Sequence, residues 1–260
     1  MCLLLFSFRM HPRYPLVLAA NRDEDYDRPS APAAFWDDAP NLLGGRDLKD
    51  GGTWLGITKK GRIAALTNYR DPASVKEGAP SRGWLVSDFL RGRKEPLTYL
   101  QNLTSRADHY NSFSLILGDI SHLYYFSNRD GMFELSPGLF GLGNHLLDTP
   151  WPKVERGKKA LRLFLFREQG PLPEEIFNIL TDRSMPGDES LPDTGVGLEW
   201  ERILSPIFIS SPTYGTRSST ILMIDRKGHV TFIERTFNAH PDSFMTAKFE
   251  FRVNFPQWDR

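Results

Sequence analysis

The 260-residue sequence is short of four things: cysteine, net charge, long apolar runs and familiar catalytic signatures. Each absence excludes something. A single cysteine, Cys2, can form neither an internal disulfide nor a cysteine-rich zinc site. Lys and Arg total 32, and so do Asp and Glu, so the chain carries no formal charge. Such a chain has no general electrostatic grip on a phosphate backbone, and no nucleic-acid partner is expected. No segment approaches the ~18 consecutive apolar residues of a membrane span, so no integral membrane association is expected either. The apolar start Leu3-Leu4-Leu5-Phe6 has no basic head, and Arg9, His11 and Arg13 end it early, unlike a secretory signal. Residue 2 is not glycine, which excludes myristoylation. The expectation is a cytoplasmic protein. G-x-S-x-G, H-E-x-x-H, the P-loop and G-x-G-x-x-G are all missing. The six histidines are scattered without metal-ligand spacing, so no metal centre is expected.

What remains is an ordinary globular composition, 40% apolar and 25% charged. Cys2 to Phe8 and Leu16 to Ala20 are apolar, β-favouring runs separated by Pro12 and Pro15, which predicts a β-hairpin. A loop with Pro29, Pro32 and Pro40 is expected next. A second hairpin is predicted from Thr53–Ile57 and Arg62–Asn68, joined at Lys59-Lys60-Gly61. Helical spacing follows, from Ser81 as N-cap to Arg91 and again from Pro96. Strands are expected over 112–118, 123–127, 132–135 and 139–143, and helices over 151–168 and 173–181. Residues 183–199, rich in Pro, Gly, Asp and Ser, read as an exposed loop. Strands return at 207–210, 218–225, 230–235 and 245–255. Short turns join most neighbouring strands, so the sheets are antiparallel. The layered solution for such an order is α+β, a four-layer αββα sandwich of two antiparallel sheets. Without a repeat or a linker, residues 1–260 read as a single domain.

Chemistry is expected where polar residues meet strand ends. If Met1 is removed, Cys2 becomes the terminal residue and carries a thiol and an α-amine together. The amine, with a reference pKa of about 7.7–8.0, can take the thiol's proton near neutrality. If Met1 is retained, that route is closed. Asn21-Arg22-Asp23-Glu24 ends the second apolar run, and hairpin pairing brings it near Cys2. Asn68, Asn144 and Arg217 also sit at strand ends, and an asparagine amide is suited to an oxyanion hole. Cys2, Asp23, Asn144 and Arg217 are the candidate catalytic residues. Asn21, Arg22, Asn68 and Tyr69 are the candidate binding residues. Phe35, Trp36, Tyr69 and Trp151 could line an apolar pocket or belong to the core.

Met1-Cys2, Leu18-Ala19-Ala20-Asn21-Arg22-Asp23-Glu24 and Gly51-Gly52-Thr53-Trp54-Leu55-Gly56 together resemble the NRDE family, also called the transport and Golgi organisation 2 family. Further matches follow in order: Ala65-Leu66-Thr67-Asn68-Tyr69, Gly143-Asn144 with Thr149-Pro150-Trp151, Tyr214-Gly215-Thr216-Arg217, and Gly228–Phe232 with Glu234-Arg235. The resemblance implies an N-terminal-nucleophile hydrolase fold, with cysteine amidohydrolases such as penicillin V acylase and bile salt hydrolase as mechanistic relatives. Through it, Cys2 corresponds to the nucleophile, Asp23 to the aspartate holding the amine, and Asn144 to the oxyanion asparagine. Asn68 falls in a Leu-Asn segment and Arg217 on a later arginine. One departure is clear. The acylases place an arginine three residues before the aspartate, where this chain has Ala20. Its arginine is Arg22, and adjacent strand residues point to opposite faces.

The function expected is a cysteine amidohydrolase acting on a linear C–N amide of a small molecule, with no required cofactor. The resemblance also implies an alternative, a non-catalytic protein that binds and traffics haem, lipid or acyl-coenzyme A in the same cleft. In that reading His145 is the candidate axial ligand. Intact mass spectrometry separates the two starting points. The mature protein is expected one methionine lighter than the full sequence and to take one adduct from a cysteine-directed electrophile; a retained Met1 moves the weight to the binding reading.

Overall fold

The computed structural model describes residues 2–167, 170–238 and 240–253. Strands β1 (Cys2–Phe8), β2 (Leu16–Asp25), β3 (Ser30–Trp36), β4 (Ala39–Asp47), β5 (Leu55–Thr58) and β6 (Ile63–Asn68) open the chain. Helices α1 (Gly83–Arg91) and α2 (Pro96–Thr104) follow, then strands β7 (Phe113–Gly118), β8 (Leu123–Ser127), β9 (Gly131–Glu134) and β10 (Gly138–Leu142). Helices α3 (Pro152–Leu165), α4 (Pro173–Leu180) and α5 (Leu198–Leu204) precede β11 (Tyr214–Ile224), β12 (His229–Asn238) and β13 (His240–Arg252).

The strands form two antiparallel sheets, ordered β10-β1-β2-β11-β12-β13 and β3-β4-β5-β6-β7-β8-β9. Alternation along β1 and β2 sorts their side chains into two cores. Leu4, Phe6, Leu16 and Leu18 meet Leu43, Ile57, Ile63 and Ile116 of the other sheet. Leu3, Leu5, Val17 and Ala19 instead pack on Val154 and Leu161 of α3 and on Ile176 and Phe177 of α4. On the far side of the second sheet, Ala64, Leu66 and Leu115 pack on Leu85 and Phe89 of α1 and Leu100 of α2. Three cores separate four layers, and the fold is an αββα sandwich.

Several local expectations differ from the structure. The segment containing Pro29, Pro32 and Pro40 holds β3 and β4 rather than a loop. Proline is accommodated because β3 is an edge strand and Pro32 falls where its register shifts, between Ala31 and Ala34. The polar stretch after residue 183 ends in α5. Residues 207–209 are buried but form no strand, and only Ser210 makes a bridge, to Gly215. Ser81 does not cap α1, whose N-cap position is Arg82 without a side-chain cap. Glu168 and residues 254–255, parts of the expected elements, lie outside the described residues, as does Met1.

Phe6 is fully buried between the sheets and stacks on Phe140 with ring centroids 5.2 Å apart. Phe6→Ala is expected to cost about 3–5 kcal/mol in urea unfolding, the usual penalty for truncating a buried phenylalanine.

Candidate functional site

The inner face of the first sheet changes character row by row. Phe6, Leu18, Leu222 and Phe232 lie side by side across four strands. The next row is Leu4, Ala20, Thr220 and Glu234, and the one after it begins Cys2, Arg22, Ser218. Apolar packing therefore gives way to polar side chains at one end of the sandwich. Directly paired antiparallel residues project to the same side, so Cys2, Arg22 and Ser218 form one transverse line.

Cys2 and Arg22 of that line border a cleft of about 310 Å³. Asp23, Asn68 and Arg82 also border it. Arg22 is 5% exposed, and its guanidinium lies 4.4 Å from the Trp54 ring centroid. Glu24 and Asp47 stand 3.8 and 4.0 Å away, near the limit for ion pairing. Among the described residues, Arg22 Nη1 and Ser218 Oγ are buried with no hydrogen-bond partner. At the rim Arg28 binds Asp47 at 2.7 Å and Asp50 at 2.6 Å. Burial pushes the Cys2 thiol above its ordinary pKa; Asp23 and Glu24 push the same way, and Arg22 opposes them.

Positions 20 and 22 of β2 point the same way, and Arg22 pairs directly with Cys2. Arg22 accordingly shares the Cys2 side. Asp23 points to the other side of β2, is fully buried, and accepts a 2.7 Å hydrogen bond from Thr216 Oγ1. Burial raises its carboxyl pKa, against the charge of Lys153.

Asn68, which borders the cleft, meets a second asparagine. Asn144 Nδ2 donates to the Asn68 carbonyl at 3.1 Å, and the Asn144 carbonyl accepts from the Arg70 amide at 2.8 Å. This clasp joins the end of β10 to the end of β6, one from each sheet. Asn144 Oδ1 is buried without a partner among the described residues. Tyr69 borders an adjoining lobe, also of about 310 Å³, that shares Asn68 and Arg82 with the Cys2 cleft. Its hydroxyl lies 2.7 Å from His145 Nε2, and His145 Nδ1 lies 2.9 Å from Thr149 Oγ1. Thr149 donates to the Leu146 carbonyl, so it accepts from His145 Nδ1–H, and Tyr69 is the donor to Nε2.

Two expected site residues stand elsewhere. Asn21 faces the helices. Its amide donates to the Leu180 and Ile207 carbonyls at 2.8 and 2.9 Å and accepts from Ser219 at 2.6 Å, anchoring β2 rather than a ligand. Arg217 is the extra residue of a β-bulge, since Thr216 pairs with Asp23 and Ser218 with Arg22. Its guanidinium turns outward to the carbonyls of Asp25, Tyr26 and Arg28 at 2.7–3.0 Å. Phe35 packs with the inter-sheet core and Trp36 is buried against α1 and α2, so neither lines the cleft.

Sequence reasoning missed Ser218 and Arg82. The fold alone pairs Ser218 with Arg22 and sets Arg82 on the wall of the Cys2 cleft. Gly52 and Gly83 explain the second. A Cβ on Gly52 would lie 2.5 Å from the Gly83 carbonyl carbon, so only glycine lets this turn reach the start of α1. That contact holds Arg82 over the cleft, where it donates to the Ser112 carbonyl at 2.9 Å.

The sequence model described as Transport and Golgi organisation 2 matches residues 1–239. The chain belongs to this family. A Transport and Golgi organization protein 2 homolog from Bos taurus is 39% identical over 279 residues, covering 97% of this chain and 99% of that protein. The Homo sapiens homolog is 38% identical over 257 residues, covering 91% and 93%. Among solved structures, a Caenorhabditis elegans ortholog of N-acylethanolamine-hydrolyzing acid amidase aligns with TM-score 0.48 at 10% identity, over 85% of this chain and 92% of that one. A mutant conjugated bile acid hydrolase from Clostridium perfringens aligns with TM-score 0.45 at 10% identity, over 98% and 97%. Within the family motifs quoted above, Glu234 now has a place. It spans the sheets, accepting from the Ala33 amide at 2.6 Å and from Thr220 at 3.1 Å.

Burial raises the Glu234 carboxyl from 4.5 to about 7, against those hydrogen bonds and the charge of Arg22. The folded state therefore holds a proton that the unfolded state has lost between these two values. Stability from this group is complete below pH 4.5 and falls as pH rises through about 7. Glu234→Gln is neutral throughout. The urea midpoint of the wild type is expected to decline relative to this variant across that window, and parallel pH profiles would refute the assignment.

Proposed function

We propose that the cleft is that of a cysteine hydrolase of the N-terminal-nucleophile type, cutting a linear C–N amide of a small molecule. The observation carrying this reading is the transverse line Cys2–Arg22–Ser218. The chain's one thiol stands at the wall of a cleft beside Arg22, and among the described residues Arg22 Nη1 and Ser218 Oγ, both buried, find no hydrogen-bond partner. A packed core has no need of such a line, and leaving buried polar groups unsatisfied is costly unless a ligand or water fills them.

In this reading removal of Met1, which lies outside the described residues, frees the Cys2 amine. The raised thiol pKa makes that amine necessary, because the buried thiol does not ionise unaided at neutral pH. The amine takes the thiol proton and Sγ attacks the amide carbonyl carbon. In this reading Asn68, Asn144 and Arg22 offset the negative charge that the carbonyl oxygen gathers. The C–N bond breaks as the ammonium returns its proton to the leaving amine, leaving a thioester on Cys2. Water, deprotonated by the same amine, adds to the thioester carbon, and the acid departs as the thiol is restored. Asp23 orients the amine.

Haem fits these residues poorly. Both ring nitrogens of His145 are engaged, and the wall around Cys2 carries Arg22, Glu24, Arg28, Asp47 and Arg82.

Cys2→Ala is expected to abolish hydrolysis of any responsive amide by at least about a thousandfold, the scale seen when a nucleophile is deleted. Mass spectrometry of the wild type, quenched during turnover, is expected to catch the acyl group on Cys2. Full turnover by Cys2→Ala sinks the reading.

A further inference from the structure

Behind the Cys2 cleft four ionic side chains are buried: Arg70, Lys153 and Glu201 line one small cavity, and Asp23, on the helix side of β2, lies within reach of the Lys153 and Arg70 charges. They come from β2, the segment after β6, the first turn of α3, and α5. Arg70 and Glu201 pair with each other at 2.6 Å. The second Glu201 oxygen accepts from the Thr194 amide at 2.8 Å and its hydroxyl at 2.6 Å. With that pair matched, the remaining opposite charges of the cluster are Lys153 and Asp23.

Lys153 is in an unfavourable place for a cation. It is 2% exposed, and it sits one residue after Pro152 in the opening turn of α3, where the helix dipole disfavours positive charge. Its ammonium donates to the Leu204 carbonyl at 2.9 Å. One neutral acceptor does not offset burying an ammonium, so an anion must contribute. Asp23 exerts the largest favourable charge on Lys153, and Lys153 does so on Asp23.

We propose that Lys153 is a positioning residue whose ammonium keeps Asp23 ionised, so that Asp23 can hold the amine of the residue bearing the nucleophile. Lys153 acts through Asp23 and not on the substrate. This rests on the reading of Cys2 as nucleophile for its purpose, but the charge pair can be measured without any substrate. The charged and titratable groups around the pair are Cys2 on β1, Arg70 after β6, Glu201 on α5 and Tyr214 on β11. All of them remain in the variants below.

The test is carbon NMR on protein with labelled aspartate carboxyl and lysine side-chain carbons, with Asp23 and Lys153 identified by their loss in Asp23→Asn and Lys153→Met. In Lys153→Met the Asp23 midpoint is expected to rise by about one pH unit or more, the scale of losing a neighbouring opposite charge. Lys153→Arg keeps the charge and is expected to restore most of the wild-type midpoint. The coupling is reciprocal, so Asp23→Asn is expected to lower the Lys153 midpoint from about 8 by a similar amount. Unchanged midpoints in folded single variants overturn the proposal. If neither single variant folds, the double variant Asp23→Asn/Lys153→Met is expected to recover a cooperative melt, and a double variant no better than Lys153→Met also overturns it. A chain that shows the coupling yet hydrolyses no amide leaves the pair standing and removes only the hydrolase reading.

Discussion

The first strand is buried on both faces, and the site depends on this. With Leu3 and Leu5 held by α3 and α4, and Leu4 and Phe6 held by the second sheet, β1 cannot slip by one residue without inverting both cores. The register of β1 on β2 is therefore fixed, and with it the pairing of Cys2 with Arg22. β2 is equally constrained by Val17 and Leu18. Two apolar interfaces thus set the position of a thiol and a guanidinium at their common end, without any loop to position them. Rigid elements hold reactive groups more closely than loops do.

Legibility in the sequence followed the same logic. The hairpin of β1 and β2, the β5–β6 pair and helices α1 to α4 could be read because alternation or helical spacing was regular over several residues. β3 and β4 could not, because three prolines outweighed their weak apolar pattern, and an edge strand tolerates them. Residues 207–209 look like a strand because they are apolar; in the fold they fill the space beneath Asn21 and give it the Ile207 carbonyl. A short apolar run does not reveal its own backbone shape. At the site, Cys2, Arg22, Asp23 and Asn68 could be placed together from hairpin pairing and motif order. Asn21 was misjudged for a simple reason of parity, since it shares the face of Val17 and Ala19. Ser218 and Arg82 carry no local signal, because their neighbours are supplied by distant segments.

The region behind the cleft shows how charge is managed when it cannot reach water. Asp23, Lys153, Arg70 and Glu201 arrive from separate elements; Arg70 pairs with Glu201, and Asp23 and Lys153 each feel the other's opposite charge. Such an arrangement is a weak source of stability, because desolvation offsets most of the attraction. It is a strong source of specificity, since removing one member leaves another uncompensated. α5 and the polar stretch before it are tied down through Glu201, which links a segment with little apolar surface to Arg70 just after β6.

The bulge at Arg217 has a consequence for how the chain can change over generations. Thr216 and Ser218 are two residues apart and would ordinarily share a face, yet one reaches Asp23 and the other joins the Cys2 line. The extra residue between them supplies the half-step. An in-frame loss of that codon leaves Thr216 and Ser218 as direct neighbours, which regular alternation already sends to opposite faces. The length of the chain is thus negotiable here in a way that its phase is not, and an inherited one-residue deletion at this point would cost the Asp25–Arg28 turn its guanidinium staple while leaving both faces of the sheet correctly addressed.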